Sequence, residues 1–224
     1  MIDPMTKTVT LIHTLAPLID LFNRLGKIYL PEVRIAHILD EPFLERIKNR
    51  GYLAQEDNQR LLTHVLEAQE IRSNLVLVTC STVSPCVDNI RDQVKVPLMK
   101  IDDAMLNQAV HSGPRIGVVA TASTTLEPTR LMLEKAAKSQ GKSIELSMRH
   151  VEGALSALLV GDGERHDLLV KQAIEELIPE VNVVVLAQAS MARVLDRMQD
   201  YDGKIPVLSS PHLALEQIKQ FIQN

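Results

Sequence analysis

An internal repeat constrains this chain more than any single motif. Ile116 follows Val9 by 107 positions, Gln188 follows Cys80 by 108, and Pro206 follows Pro97 by 109. The segments so related are short apolar runs: TVTLIHT (8–14) with RIGVVAT (115–121), LVLV (75–78) with VNVVVL (181–186), and VPLMKI (96–101) with IPVLS (205–209). Such runs, rich in β-branched residues, read as strands buried on both faces, and the intervals between them are long enough for covering helices. Helical stripes fill those intervals, with Leu61, Leu62, Val65 and Leu66 in one and Val170, Ile174, Leu177 and Ile178 in another. Gly141 closes the helix over 126–139 as a C′ glycine, and Leu215, Ile218 and Ile222 line a final helix. The expectation is an α/β protein of two pseudo-symmetric lobes, each a small parallel sheet flanked by helices, with an active-site cleft between them. Residues 1–105 plus 208–224 form the first lobe, which carries Cys80, and 106–207 form the second, which carries Gln188.

Composition narrows the partners. Aromatic residues are 3% of the 224 and Trp is absent, so Leu, Val, Ile, Ala and Met must build the core. A net charge of -4 without a Lys/Arg cluster argues against nucleic acid and anionic membrane surfaces. Small molecules are the expected partners. No apolar run approaches the roughly 20 residues that span a bilayer, and residues 1–10 lack a signal-peptide core, which reads as a soluble, cytoplasmic protein. Met5 is an alternative start to Met1. Cys80 and Cys86 are spaced for neither a CxxC pair nor a zinc site, so free thiols and no metal are expected. Gly161-Asp162-Gly163 lacks the strand, spacing and Lys of a nucleotide loop and reads as a plain loop.

The LVLV strand stops on Thr79-Cys80-Ser81-Thr82, and Ser84 with Pro85 reads as an N-cap and a first helical residue. Cys80 then lies in a strand-to-helix turn outside the carboxyl end of the sheet, where free helix N–H groups favour the thiolate. The alternative is a small buried hydrophobe closing the strand. Cys86, just inside the helix, is either a second reactive thiol or a packing residue. His13, His150 and His212 stand at strand ends or in the turn beyond, as candidate acid–base groups or as surface and capping residues. His37 reads as packed within its strand, and His64, His111 and His166 carry no assignment. Asp40, Glu41, Asp102 and Asp103 are candidates to orient a histidine or an amine, or helix caps, with Asp102 read as a cap.

Three motifs carry a family resemblance. Val78-Thr79-Cys80-Ser81-Thr82 looks like a Val-rich strand ending Cys-Asn-Thr, Ile116–Thr124 (IGVVATAST) is similar to Ile-Gly-Leu-Leu-Ala-Thr-x-x-Thr, and Val96–Asp102 resembles a Val-Pro-hydrophobic run. Together they resemble the aspartate/glutamate/hydantoin racemase superfamily. That resemblance implies a cofactor-independent isomerase, with no PLP, working through Cys80 on a small-molecule carboxylate at the carbon next to the carboxylate, and a homodimer is common in the family. It implies Ser81, Thr82, Thr121, Thr124, Ser190, Gln188 and His13 as substrate contacts. Two departures matter. Gln188 stands where the second thiol belongs, and an amide does not exchange protons at ordinary pH. Ser81 and Ser84 replace an Asn and a His, altering the carboxylate clamp. Three readings follow: racemisation with His212 or His150 as the second acid, a one-thiol lyase such as a decarboxylase or a cis/trans isomerase of a small diacid, or a non-catalytic carboxylate-binding protein.

Overall fold

A computed structural model describes residues 6–195, 197–198 and 203–223, so the Met1 or Met5 start lies outside the described residues. The chain divides into two units, one running through Asp103 and resuming at Ala214, the other Ala104–Leu213.

In the first unit the order is β1 (Thr8–His13), α1 (Pro17–Tyr29), β2 (Arg34–Leu39), α2 (Glu41–Arg50), α3 (Gln55–Glu70), β3 (Leu75–Val78), α4 (Ser84–Ile90) and β4 (Leu98–Lys100). All pairs are parallel, in the spatial order β2-β1-β3-β4. Val9, Leu11, Ile12 and the whole of Leu75–Val78 are buried, as strands covered on both faces must be. Helix α2 was not foreseen. Pro42 falls in its first turn, where the missing N–H has no helical partner to lose, and Asp40 caps it by accepting from Phe43 N at 3.1 Å.

The second unit repeats the plan. It holds α5 (Asp103–Ser112, shared at its first residue), β5 (Arg115–Ala120), α6 (Ser123–Ser139), β6 (Glu145–His150), α7 (Ala154–Leu159), α8 (Gly163–Leu177), β7 (Val183–Leu186), α9 (Ala192–Leu195), β8 (Val207–Ser209) and the start of α10 (Ser210–Gln223). The order β6-β5-β7-β8 copies the first sheet strand for strand. Gly141, at φ +65°, ends α6 in a Schellman arrangement, Lys142 N donating to Ala137 O at 2.9 Å and Gly141 N to Lys138 O at 3.1 Å. The chain leaves this unit later than the sequence suggests. Leu208 and Ser209 pair with Val185 and Leu186, so a boundary before residue 208 would cut β8, and the return falls after Leu213. The 161–163 stretch is likewise more than a loop, because Asp162 caps α8 by accepting from Arg165 N at 3.1 Å.

A buried carboxylate ties the start of α2 to α3. Asp40 accepts from Arg60 Nε and Nη2, each at 2.6 Å, and lies 2.7 Å from His64 Nε2. Burial pushes its carboxyl up, but the hydrogen bonds from Arg60 and His64 outweigh that and bring it down to about 2. A carboxyl held below its unfolded value stabilises the fold fully above about pH 4 and loses that contribution as pH falls through about 2. Asp40→Asn should therefore be about 2 kcal/mol less stable than the wild type in urea titrations at pH 6. The difference should vanish near pH 2.

Candidate active site

In both sheets the crossovers leave in opposite directions from a central pair, β1 and β3 in one unit, β5 and β7 in the other. The crevice outside the carboxyl ends of such a pair is where open α/β sheets bind ligands.

In the first unit the pairing aligns Ile12, Val78 and Lys100 across three neighbouring strands. It runs one residue further, Thr79 N donating to Ile12 O and Ile101 N to Val78 O, both at 3.0 Å. One step on stand Thr14, Cys80 and Asp102, a hydroxyl, a thiol and a carboxyl in a row along the edge. All three are buried, and both Thr14 Oγ1 and Asp102 Oδ2 lack a hydrogen-bond partner. A buried polar atom left unpaired costs about 1–3 kcal/mol, so a polar group that reached these two atoms would be held favourably.

Cys80 is a free thiol fixed by its own backbone. Its carbonyl accepts from Val83 N (3.0 Å), Ser84 N (2.9 Å) and Ser84 Oγ (3.2 Å), which folds the turn into α4. Ser84 is thus the first helical residue, not the N-cap, and its hydroxyl donates backwards. Cys86 is also free but 1% exposed against 8% for Cys80, and burial, with lesser contributions from Asp57 and Cys80, raises its pKa to about 11. It is a packing residue. Ser81, half-buried, hydrogen-bonds to the Asp102 carboxyl, and Thr82 is exposed in the same turn. Burial drives Asp102 up to about 6, with Ser81 pulling it down, Asp103 pushing it up and Lys100 pulling it down. The sequence reading of Asp102 as a helix cap misses this, although the Asp-Asp pair at the end of β4 was a signal.

His13 is fully buried, with Nδ1 2.8 Å from Thr79 Oγ1 and Nε2 2.8 Å from His37 Nδ1. Thr79 gives its hydroxyl proton to Ile12 O at 2.9 Å, so His13 Nδ1–H donates to Thr79 Oγ1. The Asn23 amide closes the row 3.0 Å from His37 Nε2. Burial first, and the neighbouring His37 second, lower His13 to about 3, which leaves it neutral and occupied. At the strand end, these contacts make His13 part of the sheet's support.

In the second unit the crevice is filled from within. Gln188 Oε1 accepts from Thr121 N (2.6 Å), Thr121 Oγ1 (2.9 Å) and Ala122 N (3.1 Å). Three donors on one oxygen is how a backbone nest holds a carboxylate oxygen. Gln188 takes that place with its own amide. Thr124 is exposed in the first turn of α6, and Ser190 is half-buried in the turn Ala189–Met191. His150 is exposed at the end of β6, beside Ala120 of β5. His212, in the first turn of α10, has Nδ1 2.6 Å from Ser209 Oγ. Among the described residues no group of three or more His, Cys, Asp or Glu could hold a metal ion, and no helix is long and apolar enough to cross a membrane.

The model of the family described as Asp/Glu/Hydantoin racemase matches residues 26–218. An uncharacterized protein of Schizosaccharomyces pombe is 28% identical over 148 residues, covering 63% of this chain but only 60% of its own length. Among solved structures, an allantoin racemase from Klebsiella pneumoniae is similar with a TM-score of 0.74 at 15% identity, over 97% of this chain and 88% of its own. A glutamate racemase of Bacillus anthracis has a TM-score of 0.70, also at 15% identity, over 97% and 82%. At that identity the likeness shows the shared fold.

Proposed function

Because this chain belongs to the Asp/Glu/Hydantoin racemase family, we propose that it is a cofactor-independent isomerase that exchanges the proton on a carbon next to a carboxylate, with Cys80 as its base. The carrying observation is the position of Cys80 at the crevice of the first sheet, flanked by two buried polar atoms that nothing in the described protein satisfies. The names of the similar structures, racemases of glutamate and of allantoin, support a small carboxylate or hydantoin-like substrate.

The chemistry is economical in groups. The Cys80 thiolate removes the proton bound to carbon and becomes a thiol, and the electron pair left behind spreads onto the adjoining carboxyl as an enolate. Proton return to that carbon completes the cycle. In the second unit three donors converge on the Gln188 amide oxygen, and an amide does not exchange protons at ordinary pH. That favours a second reading, a reaction on one face only, such as decarboxylation or cis/trans isomerisation of a small diacid, in which one thiol suffices.

The test is thiol chemistry. Iodoacetamide at pH 7.5, followed by peptide mass mapping, should label Cys80 at least about tenfold faster than Cys86, because only the thiolate reacts and burial disfavours it at Cys86. A small carboxylate that occupies the site should protect Cys80. Equal labelling of both thiols, unaffected by any carboxylate, would argue for a structural Cys80.

A further inference from the structure

The row at the edge of the first sheet says more than that Cys80 is accessible to chemistry. Thr14, Cys80 and Asp102 follow the carboxyl ends of β1, β3 and β4, the three neighbouring strands whose pairing aligns Ile12, Val78 and Lys100. A base and a proton-bearing acid at the ends of adjacent strands suit a carbon acid, whose departing proton and carboxyl oxygen belong to adjacent carbons. Resting on the proposed role of Cys80, we propose that Asp102, as a neutral carboxylic acid with Thr14 as a second donor, hydrogen-bonds the carboxylate oxygens of the substrate and stabilises the enolate that Cys80 generates. Asp102 would then be a catalytic residue that also sets specificity.

Charge and geometry agree on this role. Asp102 is 5% exposed, Ser81 hydrogen-bonds to its carboxyl, and Oδ2 has no partner among the described residues. An ionised carboxylate there would repel a carboxylate substrate, whereas a neutral acid donates to it. The charged groups that act on Asp102 are Asp103 of α5, which raises it, and Lys100 of β4, which lowers it but is already paired with Asp88 and Asp103. With a value of about 6, a bound anion beside it raises the proton affinity further. The electron count closes without another reagent: the pair released from the C–H bond moves onto the carboxyl, the Asp102 hydrogen bond strengthens against the new charge, and both return when carbon regains a proton.

The test uses the full chain in D2O with a fixed panel: D- and L-aspartate, D- and L-glutamate, 2-methylmalonate, maleate and a 5-substituted hydantoin. Deuterium entry is followed by NMR in wild type, Cys80→Ser, Asp102→Ala and Asp102→Asn. Asp102→Ala should slow exchange by about 10²–10³-fold, the loss typical of a removed oxyanion donor. Asp102→Asn, a neutral donor of the same shape, should recover part of the rate. It should also erase the fall in kcat/KM that the wild type shows as pH rises through about 6. If wild type exchanges and Cys80→Ser does not, but both Asp102 variants keep the wild-type rate and pH profile, the role of Asp102 is overturned and that of Cys80 stands. If wild type exchanges nothing in the panel, the reading of Cys80 falls and takes Asp102 with it.

Discussion

Replacing Cys80 with serine should lower proton exchange by at least about 10³-fold while leaving the fold intact. The substitution changes one atom in a turn held by its own backbone, where the residue 80 carbonyl accepts from Val83 N, Ser84 N and Ser84 Oγ regardless of the side chain. The reactivity changes far more than the shape. A thiolate forms far more readily than an alkoxide, so the serine hydroxyl offers almost no base. General acid–base catalysis of this kind contributes about 10²–10⁴-fold. Alkylation at residue 80 should disappear with the same substitution. Unaltered exchange in a folded Cys80→Ser protein would move the base elsewhere.

The second large effect is structural. Asp57 sits at the third position of α3 with a fully buried side chain, accepting from Ala54 N at 2.7 Å, from Arg46 Nη2 at 3.1 Å and from Arg50 Nη2. It caps the helix that covers Cys86 and the β3 face, and it clamps the end of α2 to the start of α3. Truncation to alanine removes the cap and leaves the largely buried Arg50 without its inner partner. Breaking a buried pair from one side costs about 3–5 kcal/mol, and the half-exposed Arg46, which water can rescue, sets the expectation at the low end, about 3 kcal/mol. For a chain of this size that is a fall of about 6–12 °C in the unfolding midpoint. Differential scanning calorimetry should show it, and a loss below 1 kcal/mol would mean that the two arginines are satisfied by solvent.

Much of the architecture could be read directly, because parallel strands buried on both faces leave continuous apolar runs and those runs recur at a steady interval. Leu75–Val78 and Val183–Leu186 lie where the pattern placed them, and the placement of Gly141 as a C′ residue survives in the hydrogen bonds of Lys142 and Gly141. Elements bounded by proline or glycine were harder. Pro42 stands in the first turn of α2, and Gly161-Asp162-Gly163, read as a plain loop, launches α8. The local meaning of proline and glycine depends on which side of a helix start they fall.

Cys80 was visible as a candidate because its setting is local, a strand end before a proline-marked helix. Side chains whose role depends on partners far along the chain were not visible in the same way. His13 and Asp102 both stand at strand ends, and sequence offers no means of telling that His13 turns inward to Thr79 and His37 while Asp102 keeps one oxygen unpaired. Gln188 was recognised as a lost thiol, but its capture of Thr121 and Ala122 joins residues more than sixty positions apart.

The most direct test of the central claim is deuterium incorporation by the wild-type protein in D2O across the panel of amino acids, malonate, maleate and hydantoin. The account predicts deuterium at the carbon next to the carboxylate of at least one compound, lost with Cys80→Ser. Deuterium with inversion of handedness identifies a racemase, and deuterium with retained handedness a one-face reaction. No incorporation into any of the compounds would contradict proton transfer at Cys80 and leave a carboxylate-binding protein built on a racemase fold.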